Sequence, residues 1–244
     1  MFGLFSSSSA GESPSQSVGA QPGLHRVLGT PIDGAPGADQ SEALFGCGCF
    51  WGAEKGFWRL PGVVTTAVGY AGGRLEQPSY EQVCSGRTGH AEVVRVVWHT
   101  STIGFADLLR LFWECHDPTQ GDRQGNDRGS QYRSLIAVAD PRWRTMAEAS
   151  RDQYQSQLQS AGYGPITTEI LGGLRFWPAE AYHQQYLAQP GSRPYCSAQP
   201  SGERLLAFEG ADFRLPAQVW DAYDWSIPHC VLRGDNRPIP LPAP

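Results

Sequence analysis

Hydrophobic and polar positions follow two different periods along the middle of the chain. Large apolar residues recur at helical spacing in 50–60 and 105–115, whereas runs of β-branched residues are typical of strands. The pattern predicts helices over 50–60, 105–115, 141–159 and 178–187, and strands over 43–45, 63–70, 90–98, 132–138 and 166–171. We therefore expect an α/β or α+β domain, a ferredoxin-like two-layer sandwich of a mixed sheet with flanking helices.

Both ends of the chain lack this periodicity. Residues 1–41 are rich in Ser, Gly, Pro and Gln, a composition that predicts a disordered arm that packs on nothing. From 191 to 244, Pro and Gly become frequent again, and neither 205–208 nor 219–225 predicts a convincing element. We expect a catalytic domain over 42–190, followed by an irregular C-terminal segment over 191–244.

Composition narrows the classes of function. The chain has 244 residues, a net charge of −5 and scattered basic residues, so we expect no nucleic-acid partner. It has no apolar run near the ~20 residues of a membrane span, and its first residues lack the pattern of a secretory signal. Six cysteines are too few for a disulfide-stapled secreted protein of this length. We expect a cytoplasmic monomer without a membrane partner, a bound cofactor or a metal, because zinc-ligand spacing is absent from the sequence.

The first candidate for chemistry is Cys49, between a predicted strand and a predicted helix. Gly46 and Gly48 allow a sharp turn, which would place Cys49 at or just before the first helical turn. There the free N–H groups and the helix dipole would lower the pKa of the thiol and make it a nucleophile. The alternative is a small buried hydrophobe. The rings of Phe50 and Trp51 could wall a pocket for a small apolar group.

A second candidate is Glu92, at the start of a predicted strand. Strand alternation gives it the same face as Val94, Val96 and Trp98. The carboxyl group is then either a solvated strand end or a partly buried acid with a raised pKa.

Other features are less specific. The polar, glycine-rich loop over 119–131 is either a solvated connector or a functional loop, because loops of this length are often functional. We expect Cys84 and Cys115 to be buried packing residues. Cys47 lies two residues before the candidate nucleophile.

Several separate motifs then point to one known family. They are GCFWG-x-E (48–54), GYAGG (69–73), SYEQVCSGRTGHAE (79–92), HDP (116–118), QGNDRG-x-QYRS (124–134) and HQQYL (183–187). In this order they resemble the A-type peptide methionine sulfoxide reductases along 43–196. The resemblance implies a thiol-dependent enzyme that reduces L-methionine S-sulfoxide, free and in proteins, and so repairs oxidative damage.

The resemblance also assigns roles to individual residues. Cys49 would attack the sulfoxide sulfur, and Glu92 would give a proton to the departing oxygen. The residues that would bind the substrate are Phe50 and Trp51 around the S-methyl group, and Tyr80, Asp127 and Tyr132 at the oxygen. His183 matches a family position whose role the chemistry does not reveal.

Attack by Cys49 would leave a sulfenic acid, which a second thiolate can convert into a disulfide. The family's resolving cysteine falls on Cys196. The sequence after Cys196 departs from the family's glycine-rich tail, so Cys230 is a rival or a second resolving thiol in a relay. Thioredoxin, or dithiothreitol in vitro, would then restore the thiols.

Two other functions are compatible with a reactive cysteine. A thiol peroxidase would also use a low-pKa thiol and a resolving partner, but it gives no reason for Phe50 and Trp51 beside the sulfur. A redox sensor or binding module could recognise oxidised methionine without turnover.

Overall fold

The structure is a computed structural model that describes residues 23–227 and 234–242. Helices α1–α5 are Phe50–Trp58, Tyr80–Cys84, Phe105–Cys115, Pro141–Ser160 and Ala217–Trp220. Strands β1–β8 are Gln40–Cys47, Val63–Ala71, Ala91–His99, Arg123–Gln124, Asp127–Arg128, Ser134–Ala137, Glu169–Leu171 and Trp177–Pro178. Short 3-10 helices cover Ser130–Tyr132 and Tyr186–Ala188. None of the helices within these ranges combines the length and apolar character needed to cross a membrane.

The main sheet has the strand order β7-β6-β1-β3-β2-β8. Strand β7 pairs parallel with β6, and the other neighbouring strands pair antiparallel. The four central strands, β6-β1-β3-β2, with α1 between β1 and β2 and α3 between β3 and β6, form the ferredoxin-like arrangement. The predicted mixed sheet with flanking helices is therefore confirmed.

The core lies between this sheet and the helices α1, α3 and α4. Alternation along β3 sends Val94, Val96 and Trp98 into the main cluster, and Val93 into a smaller cluster on the other face. In β1, Phe45 stacks on Phe57 of α1 with ring centroids 4.7 Å apart. This contact holds the C-terminal end of α1 against the sheet.

The segment before β1 is packed. His25 is buried, and its Nε2 lies 2.9 Å from Thr66 Oγ1. Ile32 is also buried, and Arg95 donates to the Ile32 carbonyl at 3.1 Å. The prediction that the arm packs on nothing is thus wrong for 23–39. Although the average composition of this segment is polar, His25 and Ile32 are enough to anchor it to the domain. Residues 1–22 lie outside the described part.

The helix predicted over 178–187 is also wrong. β8 ends at Pro178, and turns follow it. Gln185 has a left-handed φ of 47°, so a right-handed helix cannot run through this residue. The Gln185 N–H donates to Glu54 Oε2 at 2.9 Å, and the Gln184 side chain bonds both backbone groups of Val68. These buried polar contacts satisfy backbone groups that helix formation would otherwise use.

The C-terminal segment is mostly irregular, as expected, but it covers the core. Its buried side chains include Leu205, Leu215, Val219 and Trp220. Asp107 of α3 holds the segment, because its Oδ2 accepts the Arg214 N–H at 2.8 Å and the Leu215 N–H at 3.2 Å. Cys230 lies outside the described residues.

Candidate active site

The turn before α1 has no room for a side chain at position 48. Gly48 has φ +85°, and a Cβ there would lie 2.5 Å from Gln124 Cβ. Cys49 is the residue immediately before α1, as the sequence predicts, and its thiol is free. The Trp51 N–H of the first helical turn donates to the sulfur. The glycine turn therefore places the Cys49 thiol at the N-terminus of α1.

A cavity of about 370 Å³ opens beside this sulfur. Its lining consists of Cys49, Phe50, Trp51, Tyr80, Glu92, Asp127, Tyr132, Tyr186, Arg193 and Tyr195. The structure thus gathers in one place every substrate-binding residue that the sequence singled out, together with Cys49 and Glu92. Sequence reasoning missed Tyr186, Arg193 and Tyr195. Cys196, which follows Tyr195 in the sequence, is buried and does not line the cavity.

Glu92 is a buried acid and not a solvated strand end. It is 2% exposed, and it lies opposite the buried Tyr70 across the β2–β3 ladder. Burial raises the pKa of Glu92 to about 8, although the Phe50 N–H, which donates to Oε2 at 3.1 Å, lowers it. Most of the Glu92 population is therefore protonated at pH 7.

The prediction of a lowered pKa for Cys49 is wrong. Burial raises the pKa of the thiol well above its ordinary value, and the nearby Glu92 and Asp127 raise it further. The Trp51 N–H favours the thiolate, but desolvation outweighs this single donor. Position at the N-terminus of a helix therefore does not by itself lower the pKa of this thiol.

His183 orients the Trp51 ring. The Trp51 Nε1–H donates to His183 Nδ1 at 3.2 Å. Burial lowers the pKa of His183 to about 4, so the ring is neutral and carries its proton on Nε2. On its other side the indole stacks on Tyr186, with ring centroids 3.9 Å apart. The family position whose role the sequence left open therefore fixes one wall of the cavity.

Hydroxyl groups line the polar side of the cavity. Burial raises the pKa of both Tyr80 and Tyr132, so each keeps its phenolic proton. The Tyr195 hydroxyl donates to Asp127 Oδ1 at 2.5 Å. These groups can hydrogen-bond a bound oxygen atom.

Two acids outside the cavity, the half-buried Glu180 and the buried Glu54, support its walls. Glu180 accepts the Tyr80 N–H at 2.8 Å through Oε1 and the Tyr70 hydroxyl at 2.9 Å through Oε2. Glu54 accepts from Thr66 Oγ1 at 3.0 Å and from the Gln185 side chain at 2.7 Å. A carboxyl group among the aromatic residues of α1 was the available sequence signal for Glu54.

The remaining described cysteines are free thiols. Cys84 is exposed, so its predicted burial is wrong; α2 is short and buries only Val83. Cys115 is buried as predicted.

Ligand atoms of Cys47, Cys115 and His116 lie within 4.8 Å of one another. Because His116 Nδ1 bonds the Phe112 carbonyl at 2.7 Å and Nε2 bonds a serine hydroxyl at 2.8 Å, the imidazole has no free nitrogen for a metal.

Comparison with solved structures identifies similar proteins. Methionine sulfoxide reductase A of Corynebacterium diphtheriae has a TM-score of 0.66 and 41% sequence identity, over 83% of this chain and 98% of that one. Mxr1 from Saccharomyces cerevisiae, in its reduced form, has a TM-score of 0.60 and 30% identity, over 67% of this chain and 92% of that one.

Sequence comparison agrees with the structural likeness. The peptide methionine sulfoxide reductase MsrA of Azotobacter vinelandii is 56% identical over 182 residues, which cover 74% of this chain and 83% of that protein. MsrA of Salinispora arenicola is 57% identical over 182 residues, 73% of this chain and 81% of that protein. The model of the family described as peptide methionine sulfoxide reductase matches residues 41–209. The chain belongs to the peptide methionine sulfoxide reductase family.

Proposed function

We propose that this chain reduces the S epimer of methionine sulfoxide, free and in proteins, with Cys49 as nucleophile and Glu92 as proton donor. The observation that carries the assignment is one cavity lined by both a free thiol and a carboxyl group that is mostly neutral at pH 7. Family membership supplies the substrate class. The relatives named above are reductases of methionine sulfoxide.

In the first step the Cys49 sulfur attacks the sulfoxide sulfur. This attack forms a transient S–S bond. The oxygen then moves to Cys49: an S–O bond to Cys49 forms, the S–O bond of the substrate and the transient S–S bond break, and methionine is released beside a sulfenic acid. Glu92 gives its proton to the oxygen as negative charge develops there, and the thiol proton of Cys49 restores Glu92. This step needs no net proton from solvent, so a raised pKa of the Cys49 thiol is compatible with it.

The cavity walls suit this substrate. Phe50 and Trp51 offer apolar surface to the S-methyl group. The phenols of Tyr80 and Tyr132 donate hydrogen bonds to the oxygen, since burial keeps them protonated. The chemistry of a thiol peroxidase, attack of a thiolate on an O–O bond, gives no reason for this aromatic wall beside the sulfur.

Cys196 would then resolve the sulfenic acid. Its thiol condenses with the Cys49 sulfenic acid, which forms a disulfide and releases water. Burial raises the pKa of Cys196 to about 12, so we expect its segment to open before the thiolate attacks. A dithiol such as thioredoxin, or dithiothreitol in vitro, reduces the disulfide. Cys230 is the alternative resolving thiol.

We also propose that the enzyme acts as a monomer in the cytoplasm.

The test is turnover of the separated epimers of methionine sulfoxide with dithiothreitol. We expect methionine from the S epimer, and a loss of about 10³-fold or more in Cys49→Ser. Cys84→Ser is the control, because it removes an exposed thiol outside the cavity lining and leaves a hydroxyl group that can keep the hydrogen bond with Tyr80. Stoichiometric binding of the sulfoxide without product would contradict the proposal, as would full activity in Cys49→Ser.

A further inference from the structure

Arg193 is the one basic residue among the described residues that line the cavity. Its side chain is exposed, and it takes part in none of the ion pairs found in the described ranges. Other arginines of this chain do form ion pairs, for example Arg95 with Glu42 at 2.6 Å and Arg133 with Glu169 at 3.1 Å. An arginine that lines the cavity and has no carboxylate partner among the described ion pairs is available to an anionic ligand.

The backbone of Arg193 is held in place at the cavity. Its N–H donates to the Tyr186 hydroxyl at 3.3 Å, and Tyr186 itself stacks on Trp51. Two residues further on, Tyr195 bonds Asp127. Arg193 therefore lies between two aromatic residues of the cavity lining, on a segment fixed on both sides.

Apart from Arg193, the ionisable groups that line the cavity are ones that become negatively charged. The ionisable acids of the cavity are Asp127 and Glu92, and Cys49 is an anion whenever it loses its proton. A ligand that brings a carboxylate meets repulsion from Asp127, which Arg193 can offset. A guanidinium group also matches a carboxylate with two parallel hydrogen bonds.

We propose that Arg193 is a specificity-determining residue that selects sulfoxide substrates with a carboxylate close to the oxidised side chain. The carboxylate belongs either to the free α-carboxyl group of the methionine or to an acidic residue beside it in a peptide. This inference rests on the proposed function, because it takes the cavity as the sulfoxide site.

The experiment compares two substrates that differ by one negative charge. They are N-acetyl-L-methionine (S)-sulfoxide and its neutral N-methylamide, assayed with dithiothreitol in wild type, Arg193→Gln and Arg87→Gln. Arg87 is the matched control, because it is exposed, takes part in none of the described ion pairs and lies outside the cavity lining. The measured quantity is the ratio of kcat/KM for the carboxylate to kcat/KM for the amide.

We expect this ratio to fall about two- to fivefold in Arg193→Gln, the size of an exposed ion pair, through KM for the carboxylate substrate. It should stay at the wild-type value in Arg87→Gln, and added salt should lower it in wild type. An unchanged ratio in Arg193→Gln, both for this pair and for the peptide pair described next, would overturn the inference. Turnover of both substrates by wild type would leave the proposed function standing. Absence of turnover of either substrate would contradict both.

A second substrate pair separates the two sources of the carboxylate. N-acetyl methionine-sulfoxide-glutamate amide and its glutamine counterpart lack a free α-carboxyl group. A preference for the glutamate peptide that Arg193→Gln removes assigns the residue to acidic neighbours in proteins. No preference, together with the effect on the first pair, assigns it to the α-carboxylate.

Discussion

The cavity has two walls of different construction. The framework wall, Cys49, Phe50 and Glu92, is carried by α1, β3 and the turn before α1. The C-terminal wall, Tyr186, Arg193 and Tyr195, lies on a segment whose regular structure is limited to one short 3-10 helix. Helix and strand hydrogen bonds hold the first wall. Individual contacts hold the segment of the second wall: Tyr195 bonds Asp127, His183 bonds Trp51, and the Gln185 N–H bonds Glu54.

This difference separates two requirements of the chemistry. Attack and proton transfer need a nucleophile and an acid at fixed positions, which regular elements provide. Resolution needs the sulfur of Cys196 to come within about 2 Å of the Cys49 sulfur, which a segment with few regular hydrogen bonds can do at lower cost. In the proposed mechanism, the segment that carries the C-terminal wall therefore shapes the cavity and also delivers the Cys196 thiol.

The largest effect is expected from removing the resolving thiol. Cys196→Ser keeps the framework wall, so it should release about one equivalent of methionine per enzyme at the normal rate. It should then stall with thioredoxin, because the Cys49 sulfenic acid has no partner. Counting methionine against enzyme in a rapid-quench assay checks this. Normal cycling would instead make Cys230 the resolving cysteine, which mass spectrometry of the oxidised enzyme would reveal as the linked sulfur.

Glu92→Gln removes the proposed proton donor from the framework wall. We expect the reduction step at pH 7 to slow about 10²-fold, the usual weight of general acid catalysis, with substrate affinity largely retained. Glu148→Gln is the control, since Glu148 lies in α4 and pairs with Arg144 away from the cavity. A single-turnover rate equal to wild type would remove Glu92 from the mechanism.

Glu54→Gln loosens the link between the two walls. Glu54 accepts hydrogen bonds from Thr66 and from the side chain and N–H of Gln185, and a glutamine must turn its NH₂ group toward one of these donors. We expect a loss of about 1–3 kcal/mol in the free energy of unfolding. Thr66→Ser keeps its donor and serves as the control in urea denaturation. Equal stability of both variants would show that these hydrogen bonds add little.

The ionisation of Glu54 makes this loss depend on pH. Burial raises its pKa to about 7 from an ordinary value near 4.5, so the folded protein binds this proton more tightly than the unfolded chain does. Its contribution is fully present below about pH 4.5 and is lost as pH rises through about 7. The difference in unfolding free energy between wild type and Glu54→Gln should therefore change over this window. A difference that is constant with pH would contradict the assignment.

The smallest effect is expected in the C-terminal wall. Tyr195→Phe removes the hydroxyl that donates to Asp127 and keeps the ring. We expect a two- to tenfold rise in KM, the weight of about one hydrogen bond, with little change in the single-turnover rate at saturation. Steady-state kinetics with dithiothreitol measure both. A large fall in the rate at saturating substrate would show that Tyr195 contributes to chemistry.

The two walls also differ in what the sequence could predict. Strand alternation placed Glu92 on the core face of β3, and the glycine turn placed Cys49 before α1, because both follow from local backbone geometry. The αL conformation of Gln185 and the anchoring of His25 depend on partners distant in sequence, so no local pattern signals them. The raised pKa of Cys49 depends on burial by several segments together, which periodicity does not report.

The pH dependence of a single turnover tests the pairing of Cys49 with a neutral Glu92 most directly. Because burial raises the pKa of Glu92 to about 8, the wild-type rate of methionine release should fall as pH rises through that value. Glu92→Gln should be slow and lack this fall. A wild-type rate that climbs steadily through pH 8 as the thiol ionises, with the same profile in Glu92→Gln, would contradict the account.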